Sequence, residues 1–127
     1  MPGILIIDDL PEVHADVKWT ADAYQVPVYH AYNGAEAVEV WENNRHDIEV
    51  ILLDYKFERQ PLQGHEIFDL LMKKDPDLKI IVLTGYQMDK VHEQFGPDRM
   101  ARVLEFVSKP LSLTKFAEIY SKHLKIA

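Results

Sequence analysis

Residues Val50-Ile51-Leu52-Leu53 are four consecutive apolar side chains that stop abruptly at the carboxylate of Asp54. A run with no polar alternation marks a strand covered on both faces, as the strands of parallel sheets are. In an open α/β sheet, ligands bind just beyond the carboxyl ends of the strands. This one run therefore constrains two things at once. It needs helices on both sides of it, and it delivers Asp54 to a rim where a site would form.

Four further patches read as strands. Gly3-Ile4-Leu5-Ile6-Ile7 ends in Asp8-Asp9, and Val28-Tyr29-His30-Ala31 ends before the turn Asn33-Gly34. Lys79-Ile80-Ile81-Val82-Leu83 ends at Thr84-Gly85. Val103-Leu104-Glu105-Phe106-Val107 runs into Ser108-Lys109-Pro110. Helical spacing fills the gaps. Pro11 suits the first turn of a helix whose inner positions are Val13, Val17, Ala21 and Tyr24. A second helix spans about Ala35 to Asn44, with Ala37, Val38 and Trp41 inward. A third runs from about His65 to Lys74, with Ile67, Leu70 and Leu71 inward, and Asp75-Pro76-Asp77 stops it. Met88 to Phe95 forms a short helix broken by Gly96-Pro97, and the last helix runs from about Leu113 to Lys125 on a stripe of Phe116, Ile119, Tyr120 and Leu124. Trp19, Trp41, Tyr24, Tyr29 and Tyr120 are expected to pack on this framework, and the six histidines to be structural or solvated. Strict alternation with right-handed crossovers predicts a doubly wound three-layer αβα sandwich around a five-stranded parallel sheet of flavodoxin-like order 2-1-3-4-5.

At 127 residues the chain is the length of one domain, and a single domain over 1–127 with no output domain is expected. It has no cysteine, so a disulfide framework, a zinc–thiolate site and a thiol nucleophile are excluded. The formal charge of −7 argues against a surface that neutralises nucleic-acid phosphates. Met1-Pro2-Gly3 leads straight into a strand-like run without a basic leader or cleavage pattern, and no apolar segment approaches the length of a membrane span. A cytoplasmic protein that touches neither membrane nor nucleic acid is expected.

The strand ends carry the chemistry. Neighbouring first and third strands would bring Asp8, Asp9 and Asp54 together, with Thr84 and Lys109 arriving from the fourth and fifth. Close carboxylates repel, and a bound cation is the usual remedy. An all-oxygen set selects a hard ion such as Mg2+. A carboxylate beside Mg2+ is also a nucleophile toward phosphorus. The transferred group spreads its charge over equatorial oxygens that the metal, the Lys109 ammonium and the Thr84 hydroxyl could each hold. Singly, each residue has a plainer reading. Asp8-Asp9 could cap the first helix, Asp54 could be a loop acid, Thr84 a strand residue, and Lys109-Pro110 a turn. The joint pattern is what favours a site.

In order and approximate spacing, Asp8-Asp9, Asp54, Thr84-Gly85 and Lys109-Pro110 resemble the response-regulator receiver domain of two-component signalling, over essentially the whole chain. The resemblance implies that Asp54 is the phosphoacceptor and that Mg2+ is held by Asp8, Asp9, Asp54 and the backbone carbonyl of Lys56. It implies that Lys109 pairs with the phosphoryl group and Thr84 moves to meet it. Phe106 takes the position of the switch aromatic, and Lys109-Pro110 that of a cis peptide bond. It also implies partners: a sensor histidine kinase or phosphotransfer protein upstream, a protein target or output domain downstream, and a homodimer formed through the fourth helix, fifth strand and fifth helix. Such a domain is not an enzyme beyond self-phosphorylation from small donors and slow autodephosphorylation.

Three departures stand out. The loop after Asp54 is slightly long and lacks the family's usual Met-Pro. Lys56 and Tyr86 fill the two variable positions flanking acceptor and threonine, which implies altered, slow dephosphorylation. The Tyr86–Arg102 segment is longer than usual, so the output face is expected to be reshaped. The alternatives are a pseudo-receiver that binds protein without being phosphorylated, a haloacid-dehalogenase-type phosphatase, and a nucleotide-binding oxidoreductase. The phosphatase wants an acid where Lys56 stands. The oxidoreductase wants a glycine-rich turn where Asp8-Asp9-Leu10-Pro11 stands.

Overall fold

Each of the apolar runs forms a parallel strand in the computed structural model, which describes residues 2–85 and 88–124. The strands are β1 (Gly3–Ile7), β2 (Val28–Ala31), β3 (Ile48–Asp54), β4 (Ile80–Thr84) and β5 (Glu105–Ser108), hydrogen-bonded in the order β2-β1-β3-β4-β5. The predicted 2-1-3-4-5 sheet is therefore the observed one. β1 and β3 lie side by side, with Ile7 opposite Leu53. That register places the residues that follow β1 next to Asp54.

The helices are α1 (Pro11–Ala23), α2 (Gly34–Asn44), α3 (Gly64–Lys74), α4 (Met88–Arg102) and α5 (Leu113–Ile119), the last continuing as a π-helical turn over Tyr120–Leu124. Alternate residues of each strand feed two cores. Leu5, Ile7, Ile51, Leu53 and Val82 pack with Trp41, Phe68 and Phe95 on one face. Ile4, Ile6, Val50, Leu52 and Leu83 pack with Val17, Phe116 and Ile119 on the other. The central strands are dry on both sides, which is why their sequences do not alternate.

Several inward assignments shift. In α3 the buried face is Ile67, Phe68, Leu71 and Met72, while Leu70 is 38% exposed. Phe68 displaces it because its ring meets Phe95 edge-on at 5.7 Å, an arrangement aromatic quadrupoles favour. In α2, Val40 joins Ala37 and Trp41 against the core. Trp19, expected to pack, is 68% exposed. β5 starts two residues later than expected, at Glu105.

The helix broken by Gly96-Pro97 resumes beyond the break. Gly96 adopts φ 76°, ψ 163°, a conformation few side chains tolerate, and Pro97 follows with no N–H to donate. At the break the carbonyl of Phe95 accepts from the Arg99 guanidinium at 2.9 Å, and the same side chain forks onto Asp69 of α3 at 2.8 and 2.7 Å. Tyr86 and Lys125 lie outside the described residues.

Asn33 closes the N-terminus of α2. Its side chain accepts from the Glu36 N–H at 2.9 Å, and Glu36 in turn accepts from the Tyr32 N–H at 2.8 Å. Asn33→Ala removes an acceptor from a helix end that has no replacement, and a loss of about 1 kcal/mol is expected on urea unfolding.

Candidate functional site

The rim at the carboxyl ends of the strands collects the charged residues expected there. Asp8 follows β1, and its backbone N–H still pairs with the Ala31 carbonyl at 3.1 Å. Its side chain is fully buried. One carboxylate oxygen accepts from the Leu10 N–H at 2.9 Å and the other from Lys109 Nζ at 2.7 Å. Capping of α1 is not its role, since the N-cap residue of that helix is Leu10. Asp9 Oδ2 accepts from the Glu58 N–H at 2.8 Å. Asp54 ends β3, 4% exposed, and its Oδ1 lies 3.0 Å from Lys109 Nζ. Oxygen atoms of Asp8, Asp9 and Asp54 all lie within 4.8 Å of one another.

Lys109 is carried in by β5. Its backbone N–H donates to the Thr84 carbonyl at 2.9 Å, which ties the ends of β4 and β5 together, and the Lys109–Pro110 bond is cis, as expected. Thr84 is buried at the end of β4. Phe106 is half-buried, opposite Val82, against the core that contains Phe68. The Lys56 side chain is exposed, 3.8 Å from Glu58.

The electrostatics follow from burial of like charges. Desolvation raises the Asp54 pKa, the Asp8 charge raises it further, Lys109 offsets only part, and Asp9 adds a little; the result is about 7. Burial works against the Lys109 charge, but attraction to Asp54 and Asp8 outweighs it and its pKa rises. The set has three close acids and one ammonium. Its oxygens are hard, convergent and undercompensated, so their chemistry fits a small divalent cation such as Mg2+.

Two features were missed in the sequence. His14 is buried, with Nε2 2.7 Å from the Asp8 carbonyl oxygen and Nδ1 2.8 Å from His30 Nδ1, and its ring stacks on Tyr32 at 4.0 Å. The carbonyl only accepts, so His14 Nε2–H donates to it. With both rings neutral, His30 Nδ1–H then donates to His14 Nδ1. Burial, His14 and Lys18 hold His30 below its ordinary pKa. The available signal was spacing, because His14 precedes Val17 and Ala21 on the inner stripe of α1. The second feature is the loop after Asp54, where Tyr55 and Phe57 are core residues.

That loop passes so close to α3 that a Cβ on Gly64 would lie 2.6 Å from the Asp54 carbonyl oxygen and from Tyr55 backbone atoms. Backbone cannot rotate out of the way. Gly64→Ala is expected to cost about 1–3 kcal/mol in a urea titration.

The molecule is thus a doubly wound α/β module whose parallel sheet gathers three acids, a threonine and a lysine at one rim. The chain belongs to the response regulator receiver domain family, whose sequence profile matches residues 4–121. Receiver domains are signalling switches of two-component systems. They bind Mg2+ at an acidic pocket and work with histidine kinases, phosphotransfer proteins and output targets. A receiver-domain protein from Clostridium thermocellum superposes with a TM-score of 0.79 at 21% identity, covering 95% of this chain and 92% of that one. The response regulator TrrA from Thermotoga maritima, in complex with Mg(2+)-BeF, gives 0.78 at 24% identity over 96% and 98%. The sensor kinase CckA of Brucella abortus is 24% identical over 122 residues, which are 96% of this chain and only 12% of that protein. Among the described residues, no helix is long and apolar enough to cross a membrane.

Proposed function

We propose that this chain is a phosphoacceptor switch in which Asp54 takes a phosphoryl group from a histidine kinase or phosphotransfer protein. The observation that carries the reading is the Lys109 ammonium, 2.7 Å from Asp8 and 3.0 Å from Asp54, with Asp9 completing the acid cluster. Asp8, Asp9, Asp54 and the Lys56 carbonyl would hold Mg2+, which when bound neutralises the acids and one phosphoryl oxygen. An Asp54 carboxylate oxygen attacks phosphorus, the bond from phosphorus to the donor breaks, and the donor leaves with its electron pair. Lys109 pairs with the added charge, and the Thr84 hydroxyl moves to a phosphoryl oxygen. Phe106, half-buried on β5, would relay the change from that rim to the α4-β5-α5 face, where a target protein or a second copy would dock. The proposed unit is a single domain over residues 1–127, acting in the cytoplasm. Lys56 and Tyr86 would slow loss of the phosphoryl group.

The test is incubation with Mg2+ and acetyl phosphate, followed by intact-mass measurement. One phosphoryl increment is expected on the unmodified chain and none on Asp54→Ala. No increment on the unmodified chain, with the fold intact by circular dichroism, leaves the pseudo-receiver reading in its place.

A further inference from the structure

The loop between Asp54 and α3 contains a side chain that behaves like a piece of strand. Gln63 Oε1 accepts from the Phe57 N–H at 2.9 Å, and Gln63 Nε2 donates to the Phe57 carbonyl at 2.7 Å. One carboxamide thus pairs with both backbone groups of one residue, as a neighbouring strand would. Its own position is fixed. The Gln63 N–H donates to Glu66 Oε1 at 2.9 Å inside the first turn of α3, the Gly64 N–H donates to the Tyr55 carbonyl at 3.1 Å, and the Phe57 ring is buried in the core.

Peptide units are planar, and in a trans unit the N–H and C=O point in opposite directions. The only cis bond among the described residues is Lys109–Pro110. The unit joining Lys56 and Phe57 aims its N–H at Gln63, so the Lys56 carbonyl points the other way. The unit joining Phe57 and Glu58 aims its C=O at Gln63, so the Glu58 N–H also points the other way. Asp9 lies on that second side, with its Oδ2 receiving the Glu58 N–H at 2.8 Å. Gln63 therefore orients one acceptor and one donor, and both face the side on which the acids stand. The bonds from Gln63 Nε2 through the Phe57–Glu58 peptide to Asp9 also run in one sense, so each polarises the next.

We propose that Gln63 is a positioning residue for the metal site: by holding two consecutive peptide planes it sets where the Lys56 carbonyl and the Asp9 carboxylate stand, and so sets the affinity for a divalent cation. The proposal deepens the reading of Asp8, Asp9 and Asp54 as a Mg2+ site and rests on it. Groups that orient a ligand from behind commonly change metal affinity by about 10-fold or more, although they never touch the ion.

The experiment is a calorimetric titration of the full chain with Mg2+, alongside Gln63→Met, Glu58→Pro and the double variant. Methionine keeps the length of glutamine and removes both bonds to Phe57. Proline deletes the N–H given to Asp9 and also fixes φ at position 58 and restricts Phe57, whereas Glu58→Ala keeps that N–H and should weaken binding far less. Roughly 10-fold weaker binding is expected for Gln63→Met and for Glu58→Pro. The double variant should fall well short of the product of the two effects, because they act through one chain of bonds. A loop that merely loosened would lower the metal-free melting temperature with no such coupling. If proline prevents folding, Gln63→Met alone decides. Binding within twofold of the unmodified chain, or fully additive losses, would overturn the proposal and leave the Mg2+ site standing. No saturable binding by the unmodified chain would overturn both.

Discussion

Replacing Asp54 by asparagine is expected to stabilise the metal-free protein at neutral pH and above. Asp54 ionises near pH 7 in the folded chain against an ordinary value of 3.8, because burial and then the Asp8 charge oppose its charged form. A carboxyl group with a raised folded pKa holds its proton more tightly when folded. Its contribution to stability is full below pH 3.8 and is lost as pH rises through about 7. At the standard conversion the full loss is roughly 4 kcal/mol, much of the net stability of a domain this size. Asparagine keeps the shape and has no proton to lose. Urea unfolding in EDTA at pH 5 and pH 8 should show the unmodified chain losing stability over the interval and Asp54→Asn losing far less. Mg2+ should close the gap at pH 8 by stabilising only the chain that keeps the acid. Parallel pH curves for the two proteins would contradict the assignment.

Removing the other pole has the opposite sign. Lys109→Met strips the one ammonium lying between a fully buried Asp8 and a nearly buried Asp54. Breaking a buried pair by deleting one partner leaves an uncompensated charge and costs about 3–5 kcal/mol. The chain can recover part of that by protonating Asp54, so the cost should be largest above pH 7 and shrink toward pH 5. Mg2+ should rescue part of the loss as well, because a divalent cation replaces the missing positive charge. The check is the midpoint of urea unfolding at both pH values with and without Mg2+. A pH-independent loss that Mg2+ leaves unchanged would point to lost packing of the lysine stem alone.

These effects were legible early because they depend on strand ends, and strand ends are what unbroken apolar runs announce. Asp8, Asp9, Asp54, Thr84 and Lys109 each stand at such a boundary, and topology alone brings them to one rim. What the sequence concealed is set by contacts rather than by periodicity. Leu70 and Phe68 both fit a helical stripe, and only the presence of Phe95 across the gap decides between them. Helical spacing puts His14 on the inner stripe of α1, but its partners, the Asp8 carbonyl and the His30 ring, come from the end of β1 and from β2 and leave no mark in that spacing. The pairing of Gln63 with Phe57 spans six residues of loop with no regular spacing. The second half of α4 was obscured because Gly96-Pro97 signals an end, and the helix resumes through a side chain, Arg99, that satisfies the Phe95 carbonyl at the break.

The two outermost strands, β2 and β5, are four residues each, against seven for β3 at the centre. A sheet that tapers in this way offers an incoming foreign strand few exposed peptide groups on which to zip. Glu105, tethered by Lys115 at 2.8 Å, adds a charge on one of those margins. The long, wholly apolar segments that would stack most readily into fibrils are thereby kept in the interior of the row, and contacts with other molecules are left to side-chain surfaces.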